Sequence, residues 1–563
     1  MSTSQRVTIR QIPTGVPGLD EVLGGGIPEY SFNIIAGVPG TGKTTLAEQI
    51  MFANATAERP AIYFTVLGEP PLKMLRYQQQ FSFFDLSRVG SEIRYINLGD
   101  EVLERDLGAV LARITREVEL ANPGIVVVDS FRTAIRSAEA SVRGEVELQE
   151  FVQRLALRLA SWESTTFLVG EYAEADSRNP VFTIADGILW LMNEVERNST
   201  ERRIRVTKTR GQAALPGLHT FRITSAGLEV YPRFSKVATT QRRPALAERL
   251  SVGVPALDSM MNGGIPAGDS VLLTGPTGAG KTILATQFIA AGVQRGERGV
   301  IAVFEEHPAS FVARVRNLGI DLHGMVERGD LEIMYLRRLD LSVDETLQGI
   351  RERVERLGAK RVVVDSLSGF EIALAPSFRQ DFRESYYRLV QALTAMNISV
   401  LSTMESTENA DYLRFSSFNI SFLSDDSIAM RYVELEGQLR NVLSVIKMRG
   451  SDHSRDLRAY QVTSRGLEIG ETLHEYRGII TGVPELRPEV RELRQPELMA
   501  TESHVLEVIL GSGEAPADVV ARESGLKLEE LVPVLDRLVA VNYVRATEQD
   551  GRMRYRATPR AVR

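Results

Sequence analysis

The sequence predicts two tandem α/β domains with parallel-core sheets and a small C-terminal module of helices and a hairpin, and three observations support this. The first is a duplicated loop. Gly37-Val38-Pro39-Gly40-Thr41-Gly42-Lys43-Thr44 returns as Gly275-Pro276-Thr277-Gly278-Ala279-Gly280-Lys281-Thr282, and both fit G-x-x-x-x-G-K-[ST]. The second is the reach of the repeat. Gly15-Val16-Pro17-Gly18-Leu19-Asp20 is echoed by Gly253-Val254-Pro255-Ala256-Leu257-Asp258, and Gly25-Gly26-Ile27-Pro28 by Gly263-Gly264-Ile265-Pro266, at the offset of the loops, 281 minus 43 or 238 positions. The third is a set of continuous apolar runs between helical stretches, the pattern of parallel strands buried on both faces.

In chain order, each copy opens with a short strand (Phe32 to Ala36; Val271 to Thr274), then the glycine loop, then a helix. This is the context a phosphate loop requires. Apolar strands follow: Ala61-Ile62-Tyr63-Phe64 and Val300-Ile301-Ala302-Val303-Phe304, then Ile125-Val126-Val127-Val128 and Arg361-Val362-Val363-Val364. We divide the chain into residues 1–242 and 243–480 as the two copies, 481–497 as a linker and 498–563 as the module. In the module, apolar spacing predicts helices over Val505 to Leu510, Pro516 to Ala521 and a stretch holding Leu528, Leu531, Leu535 and Leu538, with Pro533 expected to kink or shorten the last. Val541 to Thr547 and Arg552 to Thr558 alternate across Asp550-Gly551, a hairpin signal. Three helices and a hairpin resemble a winged-helix domain.

Composition narrows the function classes. The 563 residues are 43% hydrophobic and 25% charged, a globular balance. No cysteine is present, which excludes disulfides and thiolate metal sites, and the six histidines fall at no metal-ligand spacing. The polar start from Met1 to Gln11 lacks a signal-peptide core, and no run approaches about 18 apolar residues. A soluble cytoplasmic protein without membrane contact is expected. With a net charge of −7, any nucleic-acid contact must be local.

The loops carry the chemistry. Their backbone N–H groups converge on phosphate oxygens, with Thr45 and Ile283 continuing into the helices. Lys43 and Lys281 neutralise β and γ phosphates, and Thr44 and Thr282 can ligate magnesium. ATP and Mg2+ are therefore the expected ligands. Asp129 and Asp365 each end a valine-rich strand, where a carboxylate can hold the metal through water; either could otherwise cap a helix. Glu305-Glu306 follow the strand after the second phosphate helix, placed to orient and deprotonate an attacking water or hydroxyl. The first copy has Gly68-Glu69 there, so one carboxylate is missing, and Glu69 also reads as a solvated loop charge. Lys208-Thr209-Arg210 and Lys447-Met448-Arg449 alternate so that both cations share one strand face. Such pairs suit either phosphate contact in the manner of an arginine finger or protection of an exposed edge strand.

Together these residues resemble the KaiC family, the double-domain branch of the RecA-like ATPases, over roughly Thr14 to Pro484. The resemblance implies two RecA-like domains, a double-ringed homohexamer and ATP between neighbouring subunits. It assigns Lys208, Arg210, Lys447 and Arg449 to act in trans and makes Glu305 and Glu306 the catalytic carboxylates of the second ring. With Gly68 in place of the first carboxylate, the first ring is expected to be slower, with Glu69 as its remaining candidate. The circadian member phosphorylates adjacent serine and threonine residues; the matching run Ser421-Phe422-Leu423-Ser424-Asp425-Asp426 keeps the serine, so Ser421 is the candidate phosphosite. Ile479-Ile480-Thr481-Gly482-Val483-Pro484 looks like the segment that introduces the clock protein's short tail, but a different module follows.

That module is near neutral, and its third helix, Lys527 to Ala540, has two basic and three acidic residues, poor for docking along phosphates. Arg545, Arg552, Arg554, Arg556, Arg560 and Arg563 face only Glu548 and Asp550. A protein partner is the favoured use of the module and DNA the alternative. The expected function is an ATP-hydrolysing regulator with serine autokinase potential; the rival is an ATP-controlled transcriptional regulator acting through the module.

Overall fold

The computed structural model describes residues 9–65, 71–99, 101, 107–129, 142–173, 181–196, 199–233, 248–336, 341–380, 382–406, 423–479, 484–487, 498–549, 552–558 and 561. Two compact units are present, one of Met1–Tyr432 with Gln438–Thr472 and one of Val433–Gly437 with Leu473–Arg563.

The larger unit holds both copies. In the first, β1 (Phe32–Gly37), β2 (Ala61–Thr65), β3 (Ile93–Asn97), β4 (Ile125–Asp129), β5 (Thr165–Glu171), β6 (Gly187–Glu196), β7 (Ser199–Thr209), β8 (His219–Thr224) and β9 (Gly227–Tyr231) form a nine-stranded sheet ordered β9-β8-β7-β6-β1-β5-β4-β2-β3. From β6 to β3 the pairings are parallel; β7, β8 and β9 extend the sheet antiparallel. The second copy repeats this with β10 (Ser270–Gly275), β11 (Gly299–Val303), β12 (Leu331–Tyr335), β13 (Arg361–Asp365), β14 (Ser399–Glu405), β15 (Asp426–Leu435), β16 (Gln438–Met448), β17 (Arg458–Thr463) and β18 (Gly466–Thr472), ordered β12-β11-β13-β14-β10-β15-β16-β17-β18. These sheets are the tandem parallel-core α/β fold that the apolar runs predict, and they fit the RecA-like domains that the resemblance implies.

Strand alternation explains the layers. Ile34, Ala36, Ile62 and Phe64 enter one core, whereas their neighbours Ile35, Ala61 and Tyr63 enter the core on the other face. A strand buried on both faces has no polar side to display, hence its uninterrupted apolar sequence. Strands β4 and β13 run one residue beyond the valines, so that Asp129 and Asp365 are their last residues.

Helices α1 (Lys43–Asn54) and α2 (Lys281–Gln294) begin at the loop lysines. Their N-caps, Gly42 and Gly280, have φ of 94° and 91°, a left-handed conformation that favours glycine. A Cβ on Gly42 would lie 2.8 Å from Ile223 Cδ1, so β8 closes against the first phosphate loop. The copies meet through α3 (Val343–Leu357): Arg222 on β8 donates to Glu345 Oε2 from Nε (3.2 Å) and from Nη2 (2.9 Å). Ser377 adds a 2.7 Å bond to Glu201.

The smaller unit contains α4 (Ala500–Ser512), β19 (Glu514–Pro516), α5 (Ala517–Ser524), α6 (Leu528–Ala540), β20 (Val544–Gln549) and β21 (Arg552–Ala557), with sheet order β19-β21-β20. Val505, Ile509, Leu531, Leu535, Leu538 and Tyr555 fill its core. Three expectations need correction. Strand β19 was not foreseen. Strand β20 starts at Val544 because Val541 still bonds back to Arg537 and Asn542, at φ 61°, ends the helix in a left-handed turn. Pro533 neither ends nor shortens α6: the carbonyl it deprives of a donor is that of Glu529, in the first turn on an exposed residue where water can serve it. Among the described residues no helix is long and apolar enough to cross a membrane.

Candidate functional site

In both copies the C-terminal ends of the parallel strands and the N-terminus of the phosphate helix enclose a cavity, the usual ligand position in such sheets. The first, of 490 Å³, is lined by Pro39, Gly40, Gly42, Lys43, Thr44 and Thr45 from the loop and by Tyr63, Asp129, Glu171 and Ile223. The second, of 350 Å³, is lined by Thr277, Gly278, Gly280, Lys281, Thr282 and Ile283 with Glu305, Glu306, Asp365 and Glu405. Each lies within the size range of small-ligand sites.

Around Asp129 the hydroxyls of Thr44 (2.7 Å) and Tyr63 (2.5 Å) donate to one carboxylate oxygen. Burial pushes the Asp129 carboxyl up, while these two hydrogen bonds and Lys43 pull it back. Lys43 Nζ donates to Val38 O at 2.8 Å. Burial lowers its pKa, opposed by Glu171 and Asp129. Asp365 is held by the Thr403 and Thr282 hydroxyls, and Lys281 donates to the Gly275 and Pro276 carbonyls at 2.8 Å. The clamp on the aspartate therefore comes from opposite neighbours in the two copies, β2 in the first and β14 in the second. Glu305 accepts from Ser366 at 2.6 Å and Glu306 from Arg314 at 2.5 Å.

Thus Lys, Thr and Asp come together in both copies, joined in the second by Glu305 and Glu306. Glu69 and Ser421 lie outside the described residues. The four cations stand elsewhere. Lys208 sits opposite Ile188 at the start of β6, and β6 runs parallel to β1 with Gly187 beside Asn33 and Leu191 beside Gly37. That places Lys208 at the other end of the strands from Gly37 and the loop that follows it, about 10 Å along the strand direction at 3.3 Å per residue, with Arg210 farther still. There Lys208 Nζ donates to Thr183 O at 3.0 Å, and Arg210 pairs with Asp186 at 3.1 Å. Lys447 donates to Ser424 O at 2.6 Å and Arg449 lies 3.6 Å from Asp425. Strands β7 and β16 both have neighbours on either side, so the charges do not protect an edge strand.

Sequence reading missed Tyr63, Thr403, Arg314, Glu171 and Glu405. A signal for the last two was present: each copy has an apolar strand that ends in Glu, Thr165–Glu171 and Ser399–Glu405.

A model of the KaiC ATPase family matches residues 12–235 and again 250–474. The chain belongs to the KaiC family. Relatives include the circadian clock oscillator protein KaiC of a Picosynechococcus species, 28% identical over 486 residues, which cover 84% of this chain and 92% of that protein. That of Thermostichus vulcanus is 28% identical over 492 residues, with the same coverage. The circadian clock protein KaiC3 of a Synechocystis species is 27% identical over 486 residues, 84% of this chain and 95% of that one. The two family matches coincide with the two nine-stranded sheets and end before the C-terminal helices.

Within this KaiC-type frame the copies differ beneath their sites. Glu48 lies inside α1 with neither carboxyl oxygen hydrogen-bonded. Burial first, and the Asp129 charge second, hold its carboxyl well above the ordinary range. The corresponding Thr286 instead donates to Thr282 O at 2.5 Å.

At the cation end of the second sheet, Asp426 is fully buried and neither oxygen has a hydrogen bond of normal geometry. Burial raises its carboxyl to about 8, with Asp269 and Asp425 adding to the rise and the Arg449 amide and Arg249 opposing it. Lys447 faces it from the adjacent strand. Because the unfolded aspartate ionises near its usual 3.8 while the folded one keeps its proton to about 8, folding takes up a proton between these values. Stability from this group therefore falls as pH rises through that window. We expect Asp426→Asn to raise the melting temperature, by more at about pH 8 than at about pH 5; equal shifts in thermal denaturation at both would refute the assignment.

Proposed function

We propose that this KaiC-family chain is a magnesium-dependent ATPase working as a homohexamer, with each nucleotide held between neighbouring subunits and the C-terminal unit coupled to the nucleotide state of the ring. One observation carries the reading: in both copies the phosphate-loop residues stand at one end of the sheet and the paired cations at the other, with Lys208 opposite Ile188 and Arg449 beside Asp425. A subunit's own Lys208 and Arg210 are too far from its own phosphates, whereas those of a neighbour stacked in a ring can reach them.

The donor set fits magnesium. Thr44 with Asp129, and Thr282 with Asp365, offer hard hydroxyl and carboxylate oxygens beside the loop. Bound there, the ion would neutralise charge on the β and γ phosphate oxygens. The chain's own groups do the rest. Loop amides and Lys43 or Lys281 hold the phosphates, Glu305 and Glu306 orient and deprotonate the attacking water in the second site, and the neighbour's cations spread transition-state charge. The first site works with Glu69 alone and is the slower.

The C-terminal order of helix, strand, helix, helix and hairpin supports reading this unit as a winged helix. Relatives named as clock proteins favour a regulatory role for the ring. Phosphate release and native mass, measured with ATP in the presence and absence of magnesium, test the proposal. Magnesium-dependent release from a hexamer is expected. Bound nucleotide without release would overturn the enzymatic reading, and a monomer under turnover conditions would overturn the ring.

A further inference from the structure

The C-terminal sheet has two unlike faces. Register pairs Arg545 with Arg556 and Arg556 with Glu514; Thr547 with Arg554 and Arg554 with Pro516; and Gln549 with Arg552. Directly opposed residues share a face. Arg545, Arg552, Arg554 and Arg556 therefore form one ladder, while the alternate residues Ala515, Ala546 and Tyr555 point into the core. Arg545, Arg552 and Arg556 are exposed and Arg554 is half-buried. None of the four forms an ion pair with a described carboxylate. Glu514, the acid on this face, accepts from Thr547 at 3.3 Å.

The remaining residues of the face narrow the partner. Thr547, Gln549 and Pro516 separate the arginines, so the face lacks the apolar centre of a protein interface. Among its described residues the face has no aromatic platform on which single-stranded bases could stack, and Pro516 is its one apolar residue, too little to enter a bilayer. What remains is rows of planar cations about 6.8 Å apart along a strand, with short polar side chains between them, a surface suited to the regularly spaced phosphates of a duplex.

Helix α6 does not suit the groove. It exposes Leu528 (51%), Val532 (42%) and Val539 (36%), with Glu529 and Asp536 among them. Arg537 is paired with Glu502 at 3.1 Å. Sequence reading favoured a protein partner on the charge of this helix while noting the arginines of the hairpin, and the register of β20 and β21 puts four of those arginines on one face.

We propose that the arginine face of β20 and β21 binds the backbone of duplex DNA without reading its sequence. The inference rests on the C-terminal unit alone and does not depend on nucleotide chemistry elsewhere in the chain. Fluorescence anisotropy of the full-length protein with a labelled duplex tests it. Four phosphate contacts give a salt slope near −0.9 × 4, or −3.6, so affinity should fall about 150-fold between 50 and 200 mM salt. The triple variant Arg545→Gln/Arg554→Gln/Arg556→Gln should lose this binding at low salt and flatten the slope to about −0.9. Its phosphate release and melting temperature should stay unchanged, showing that it folds. Asp536→Ala should bind like the parent. The proposal is overturned by no duplex binding at the lower salt, by an unchanged slope in the triple variant, by tighter binding to the matching single strand, or by stronger competition from an acidic polypeptide or anionic vesicles than from unlabelled duplex.

Discussion

Arg449→Ala, made in a Lys43→Ala background that silences the first ring, is expected to lower phosphate release on the order of 10³-fold while nucleotide affinity changes little. Arg449 is exposed and sits 3.6 Å from Asp425, so its loss should leave the fold intact. The loss arises because a cation that meets the nucleotide only as negative charge spreads over the transferring phosphoryl contributes to the transition state rather than to the ground state. Since the cation and the phosphate loop belong to different subunits in our proposal, two dead proteins should repair one another. Mixed rings of Arg449→Ala and Lys281→Ala subunits, both with Lys43→Ala, place an intact loop beside an intact arginine at some boundaries. Turnover recovered on mixing establishes action in trans; mixtures as inactive as their components would overturn it.

The paired substitution Glu305→Gln/Glu306→Gln should reduce second-ring turnover by about 10²- to 10⁴-fold, the usual contribution of a general base. Both carboxylates line the second cavity, held by Ser366 and Arg314. Glutamine keeps their shape and removes their basicity. In otherwise unchanged protein the same pair should remove most phosphate release, because our proposal makes the second site the faster; Lys43→Ala alone should remove the smaller part. Equal losses from the two would end the assignment of unequal rings.

How much of this was legible in the sequence follows from what each feature depends on. The phosphate loops were, because φ near +90° at Gly42 and Gly280 leaves a local signature in residue type. The parallel strands were as well, since burial on both faces removes polar alternation. Tyr63 and Thr403 were not: each looks like an ordinary strand residue, and only the sheet order puts its hydroxyl on Asp129 or Asp365. The pairing of Lys208 with the far end of the sheet likewise needs the antiparallel register of β7 on β6. Three-residue β19 was invisible because Glu-Ala-Pro has no strand character of its own and is recruited by β21. The arginine ladder was visible as composition only; register turned it into a surface.

Strand β8 carries one more consequence. Ile223 lines the first cavity beside Gly42, and Arg222, one residue earlier and on the opposite face, holds Glu345 at the start of α3. Helix α3 packs on β11, the strand that leads to Glu305. If nucleotide entry shifts β8, the Arg222–Glu345 bond ties that shift to a helix of the other domain. Thermodynamic reciprocity then makes the exchange symmetrical: by whatever factor a ligand in the first site changes affinity in the second, a ligand in the second changes affinity in the first by the same factor. Neither domain is upstream of the other in binding, and any direction in their communication must come from an irreversible step such as the hydrolysis we propose.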